Sequence, residues 1–291
     1  GSIRFARAYM GKLWLFVNKY GLYKIDLSTF KIEGHYELLP EYNNSSLRAF
    51  YIDKKGYIWF GTIDGLYIFD PSDGKLSHYK HSRTNPFSLP NNSIWEISED
   101  RQSNVWIGTY SGTLCYVNID ENAAFKTYHP QNSGLNYTPV SSFAEDKSYL
   151  WIGTEGGGIN RMDKVTGAFT YLTSENRITS NNIKSLITDS EHNLWISTFM
   201  GGLDCRSNGQ QKVTNYKHVQ SNPHSLLVNS VRKTILEGDS GIWLAYQHYK
   251  AEISYFSFRT KSFTHFNLDS INNNVYLFDI LRQGEKTLWA I

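Results

Sequence analysis

The chain has 291 residues, a net charge of +2 at neutral pH and 15% aromatic residues. That length can bury a large core within one all-β domain, and the near-balance of charge argues neither for nor against a nucleic-acid partner. No apolar run approaches the ~18 residues of a membrane helix, and 20 Tyr, 16 Phe and 8 Trp favour strands.

Gly1-Ser2 reads as a cloning remnant, and no secretory leader is visible after it, so a natural leader could have been removed. From there the chain repeats. Seven of the eight tryptophans, Trp14, Trp59, Trp106, Trp151, Trp195, Trp243 and Trp289, are spaced by 45, 47, 45, 44, 48 and 46 residues. Trp95 stands outside this register. The surroundings repeat as well: "YIWFGTIDGLYIFD", "VWIGTYSGTLCYVN", "LWIGTEGGGINRMD" and "LWISTFMGGLDC". Upstream lies a second pattern of two apolar residues three apart and an acid three further on, as in Leu47/Phe50/Asp53, Ile94/Ile97/Asp100, Val140/Phe143/Asp146 and Ile183/Leu186/Asp189. Downstream comes a short aromatic strand such as "LSHYK" or "FTYLT".

Each unit therefore reads as four short strands, A to D. Around Trp106 they fall at roughly 93–98, 104–109, 112–118 and 124–129, with Gly, Asn, Asp and Ser in the hairpin turns. No sustained 3.6-residue period occurs, so almost no helix is expected. Repeated four-stranded units of this size predict an all-β β-propeller within 3–291, with blades near 3–38, 47–80, 93–129, 139–173, 182–218 and 229–267 and a partial one at 274–291. The expectation is seven blades with the last incomplete, to be completed by chain beyond Ile291 if at all. The alternative is six blades plus a hairpin. A blade buries both faces only by stacking on its neighbours, and the recurrent Trp is expected to fill that joint.

The register constrains other residues. Cys115 and Cys205 both fall on strand C, two blades apart, beyond the ~7 Å Cα separation of a disulfide, so two free and mostly buried thiols are expected. Gly156, Gly157 and Gly158 invite a phosphate-loop reading, but the following segment is a strand rather than a helix. They read as a B–C turn with positive φ. The A–B aspartates sit on different blades and read as turn residues.

The unit "LW-I-G-T-x-x-G-G-L/I-x-x-x-D", preceded by "N-S/N-I/V-x-x-I/L", resembles the two-component regulator propeller repeat. It is clearest from Asn182 to Asp204 and from Val140 to Asp163, while "WLFV", "WLAY" and "WAI" depart from it in the first, sixth and seventh units. The resemblance implies one propeller of a periplasmic sensor region in an inner-membrane hybrid two-component receptor. It implies no enzymatic activity in this region, with a histidine kinase elsewhere in the full-length protein. It also implies a neighbouring propeller, a β-sandwich, a receptor dimer, no nucleic acid and no direct membrane contact by this region. Many members of that family sense oligosaccharides.

Where the repeat breaks its own pattern, function can reside. The B–C tips and D–A loops share one end of each blade, and loops carry binding. The tips offer Tyr20, Asp64, Tyr110, Glu155, Phe199, His248 and Tyr249. Glu155 is the residue of "LWIGTEGGGINRMD" that the repeat leaves free. The second position of strand A reads Arg48, Trp95, Ser141, Lys184, Arg232 and Tyr276, with Arg4 if the first unit aligns. If these point inward, the basic residues among them would attract an acidic group such as a uronic acid or sulfate; the opposing reading has them snorkelling outward between blades. The expected ligand-binding set is Tyr20, Arg48, Asp64, Trp95, Tyr110, Glu155, Lys184, Phe199, Arg232, His248 and Tyr249, facing an oligosaccharide or other small ligand. No catalytic residue, metal or cofactor is expected. His81, His224 and His248 could gather on the top face, which keeps a propeller lyase or glycosidase open as an alternative, as is a pure interaction scaffold.

Overall fold

The computed structural model describes residues 3–38, 47–85, 87–110, 113–118, 125–128, 133–210, 212–247, 252–268, 280–283 and 287–290. No helix occurs among them. The chain divides into two compact units, residues 1–140 and 141–290.

The first unit holds three four-stranded antiparallel sheets. They are β1 (Ile3–Tyr9), β2 (Lys12–Val17), β3 (Gly21–Asp26) and β4 (Ile32–Tyr36); β5 (Ala49–Ile52), β6 (Ile58–Thr62), β7 (Gly65–Phe69) and β8 (Leu76–Tyr79); and β9 (Ile94–Glu99), β10 (Asn104–Thr109), β11 (Leu114–Asn118) and β12 (Lys126–Tyr128). The second unit holds β13 (Val140–Glu145), β14 (Tyr149–Thr154), β15 (Ile159–Asp163) and β16 (Phe169–Leu172); β17 (Ile183–Thr188), β18 (Leu194–Thr198), β19 (Leu203–Arg206) and β20 (Val213–Tyr216); and β21 (Val231–Glu237), β22 (Gly241–Tyr246), β23 (Glu252–Ser257) and β24 (Phe263–Asn267). β25 (Ile280–Gln283) and β26 (Thr287–Ala290) complete it as a hairpin. In every sheet the strands pair in chain order, which is the meander of a β-propeller blade.

The seven-bladed expectation is corrected here. Among the described residues there are six four-stranded blades, and the last segment is a two-stranded sheet, β25 with β26. The tryptophan register counts B strands rather than blades. Trp289 lies on β26, and among the described residues one hairpin surrounds it. Ile280 packs into a small cluster with Ala245 and Ile253 of the sixth blade, which binds the hairpin to that blade.

The motif residues do separate physical jobs. Tryptophan fills the joint: Trp59 lies within a cluster shared by the second and third blades, with Ile94, Ile97 and Val117, and is fully buried. In the second unit, Trp151 packs with Ile183, Leu186 and Ile196, and Trp195 with Ile242, Leu244 and Phe256. A buried indole N–H needs an acceptor, and the A–B turn supplies it. Trp59, Trp106, Trp151 and Trp195 donate to Asp53, Asp100, Asp146 and Asp189 at 2.8–2.9 Å. In the sixth blade Trp243 donates to Glu237 at 2.7 Å. The other oxygen of each aspartate accepts turn amides, such as those of Lys55 and Tyr57 on Asp53. Burial nevertheless holds the Asp53 carboxyl above its ordinary pKa, against the pull of those donors.

Glycine in the motif permits close approach of the next blade. A Cβ on Gly61 would lie 2.6 Å from Ile94 Cγ2, and one on Gly153 would lie 2.7 Å from Ile183 Cγ2. The fifth blade has Ser197 there instead, and its hydroxyl reaches Thr234 on β21 at 3.2 Å. Threonine locks the B–C turn: Thr62, Thr109, Thr154 and Thr198 donate to the carbonyls of Gly65, Thr113, Gly158 and Gly202 at 2.8–3.0 Å. The triple glycine belongs to that turn. Gly156 and Gly158 have φ of 137° and 73°, and both amides donate to the Asn181 carbonyl.

Two expectations follow. Asp189→Ala strands the indole of Trp195 and the amide of Asn193, and is expected to lower unfolding free energy by about 1–3 kcal/mol in urea titrations. Gly153→Val overfills the joint between the fourth and fifth blades, with a similar expected loss of about 1–3 kcal/mol by the same assay.

Candidate functional site

Because the B–C turn is pinned by its threonine, the next residue stands at the tip. Those residues are Ile63, Tyr110, Glu155 and Phe199 in the second to fifth blades. Tyr110 is 52% exposed and Phe199 36%. The second position of strand A reaches the same end of the blade, and in both units the two positions meet.

In the first unit Arg48, Trp95 and Tyr110 converge. The guanidinium carbon of Arg48 lies 4.7 Å from the Trp95 ring centroid and 5.6 Å from that of Tyr110. The two rings are 5.3 Å apart and tilted by 41°. Arg48 also donates to the Ser93 hydroxyl at 3.4 Å. Trp95 is half-buried, so it presents part of its surface beside a cation and an exposed phenol. Asp64 is bound by Lys80 at 2.8 Å, and its carbonyl accepts from His78. Tyr20 is exposed at the first blade's tip, where its carbonyl accepts from His35.

In the second unit Glu155, Lys184 and Phe199 converge. Lys184 makes a short ion pair with Glu155, and its ammonium lies 5.6 Å from the Phe199 ring centroid. Glu155 is therefore not free, as the repeat pattern alone would have it. Its backbone also forms a β-bridge with Asn182 at the entry to β17. Arg232 is half-buried on β21. His248, Tyr249 and Tyr276 lie outside the described residues.

The histidines of the D–A loops have fixed structural tasks. His81 Nδ1 donates to the Leu89 carbonyl at 2.8 Å, and His218 Nδ1 donates to that of Leu226 at 2.9 Å. Each His amide in turn donates to an asparagine before the next strand A, Asn92 and Asn229. Asn181 takes the same part for Ser174. The loops "KHSRTNPFSL" and "KHVQSNPHSL" are thus one motif used twice, a signal present in the residues themselves. His224 Nδ1 approaches the Phe263 carbonyl at 3.4 Å.

Both cysteines are free and buried. Burial pushes both thiols up, Cys205 to about 12, which makes them poor nucleophiles. Asp204 is buried, accepts from Thr179 and Asn215, and has its pKa raised by burial. Among the described residues no group of three or more His, Cys, Asp or Glu could hold a metal ion, and no helix is long and apolar enough to cross a membrane.

Fold and tips together define a blade-repeat protein whose variable positions are gathered at one end of each blade. The family model of the two-component regulator propeller matches residues 41–64, 88–111 and 177–200. Over 175 residues the chain is 27% identical to histidine kinase P4 of Formosa agariphila, a stretch covering 55% of this chain and 12% of that protein. Its fold is similar to the extracellular domain of BT3049, a candidate hybrid two component system of B. thetaiotaomicron, with a TM-score of 0.78, 19% identity and coverage of 99% of this chain and 39% of that one. It is also similar to virginiamycin B lyase of Staphylococcus aureus, with a TM-score of 0.72, 15% identity and coverage of 99% and 90%. At these identities the structural likeness is one of fold. The chain spans only a small part of the curated relative and under half of the BT3049 domain.

Glu155→Ala is expected to cost about 1 kcal/mol or less, measured by thermal or urea unfolding, because the pair it breaks is partly solvated. The loss should shrink at high salt, which screens the pair in the parent protein.

Proposed function

We propose that this chain is the ligand-sensing propeller of an extracytoplasmic, periplasmic receptor region in a hybrid two-component system. It binds an oligosaccharide and relays occupancy to a histidine kinase outside this chain. Its neighbours in the full-length receptor are a second propeller and a β-sandwich, and the receptor works as a dimer. The repeats and the likeness to extracellular domains of such systems support the class.

One observation carries the ligand reading: the Arg48, Trp95 and Tyr110 cluster at the tips. Aromatic faces stack on the apolar faces of sugar rings, and a guanidinium donates to hydroxyls or a carboxylate. The cation over the indole holds the ring in place before a ligand arrives, an interaction of about 0.5–2 kcal/mol. Lys184 is paired with Glu155, so the second-unit cluster offers a hydroxyl-binding ion pair beside the Phe199 ring rather than a bare positive charge.

The test is a panel of neutral and acidic oligosaccharides, read by calorimetry and by product formation. Binding without turnover is expected, with Trp95→Ala weakening it tenfold or more and Arg48→Ala weakening acidic ligands most. Product formation would replace this reading with an enzyme, and silence across the panel would leave an interaction scaffold.

A further inference from the structure

The repeat provides a reference against which one residue of the second unit stands out. On strand C, the residue after the tryptophan's cross-strand partner is Phe69, Val117, Met162 and Phe256 in four blades, and all four are buried. In the fifth blade that position is Arg206, since Trp195 pairs with Cys205. Arg206 takes the place against the fourth blade's tryptophan that Phe256 takes against Trp195.

Arg206 stacks on Trp151, its guanidinium carbon 5.4 Å from the ring centroid. Arg161 approaches the same ring at 5.7 Å and the Tyr149 ring at 4.4 Å. Among the described residues its one side-chain hydrogen bond runs from Nε to Thr170 at 2.9 Å. The nearby carboxylate, Asp146, is committed: it accepts the amides of Ser148 and Tyr149 and the indole of Trp151. Among the described residues no carboxylate lies within 4 Å of Arg161, Arg177 or Arg206. The Arg206 Nε is enclosed without an acceptor among the described residues. Burial, and after it the charges of Arg161 and Arg177, pull the Arg206 pKa down. Unpaired guanidinium groups in a partly desolvated joint are costly, and the cost falls when a planar or tetrahedral oxyanion meets their forks bidentately.

We propose that Arg206 and Arg161 form an oxyanion site at the joint between the fourth and fifth blades. It takes a sulfate-like or phosphate-like group, either as a free ion or as an ester on a sugar, with the Trp151 and Tyr149 rings holding the two guanidinium groups. The site is independent of the tip cluster around Trp95 and would stand if that reading failed.

The experiment compares the parent chain with Arg206→Met, which installs the fourth blade's own choice, Met162, and with Arg206→Lys, which keeps the charge and loses the fork. Melting temperature and calorimetry are read against inorganic sulfate, inorganic phosphate, glucose 6-sulfate and glucose, at ionic strength matched with sodium chloride. Three results are expected. The parent shows a saturable rise in melting temperature with the anions, Arg206→Met loses that rise and is no less stable in chloride, and Arg206→Lys binds at least tenfold more weakly. Response to inorganic ions alone assigns a free-ion site, and a stronger response to glucose 6-sulfate assigns an ester. Three results would overturn the proposal: equal anion dependence in all three proteins, an equal response to glucose, or a parent with no anion response. In the last case Arg206 is a packing element, and Arg206→Met should then melt at a lower temperature in chloride.

Discussion

The hydrogen bond from the strand-B indole to an acid at the A–B turn of its own blade, made in the second to sixth blades, is the constraint on which the rest is arranged. A four-stranded blade hides its faces only against a neighbour, so each joint wants a large apolar side chain. Tryptophan supplies the area but brings a donor that a dry joint cannot leave unmet. Asp53, Asp100 and Asp189 meet it from six residues upstream and Asp146 from five, while their second oxygens collect turn amides. One carboxylate thereby fixes the turn, the start of strand B and the ring in the joint. The motif glycine then sets how closely the next strand A approaches, and the motif threonine closes the turn at the other end.

Those demands divide each blade. At the A–B end both oxygens of the turn aspartate are committed to the fold. At the B–C end the threonine lock is satisfied within the turn, which leaves the next side chain unspecified by packing. Tyr110, Glu155 and Phe199 occupy equivalent positions, a phenol, a carboxylate and a bare ring. Their partners on strand A, Arg48 and Trp95 in the first unit and Lys184 in the second, vary with them. Variation at the tips costs the joint nothing, which is why recognition chemistry can collect there.

Much of this was legible in the residues because the constraints are periodic. Tryptophan spacing marked the B strands, and Gly156 and Gly158 showed their turn through the strand that follows them. The indole-to-acid bond leaves a signal too, a spacing of five or six residues, which by itself speaks only of turn chemistry. Blade number was harder, since Trp289 marks a B strand whether or not C and D strands accompany it. The Glu155–Lys184 pair was out of reach: it joins residues 29 apart on different blades and obeys no period. The basic positions on strand A suggested a run of bare positive charge. Their partners could not be read from the period: Lys184 is paired with Glu155, and Arg48 lies over two rings.

A repeat is therefore most informative where its physical requirement is known and then broken. An apolar residue is required against the tryptophan of the preceding blade, because that surface is stacked and dry. Ser197 breaks the neighbouring glycine rule at little cost, since its hydroxyl finds Thr234. Arg206 breaks the apolar rule without such relief: its charge meets an indole that Arg161 also approaches, and its Nε finds no acceptor among the described residues. A stacked indole recovers about 0.5–2 kcal/mol of a cation's lost hydration, less than the several kcal/mol that desolvating a charge takes. The imbalance sits in one joint of one unit, where an oxyanion would offset it and an apolar side chain would remove it.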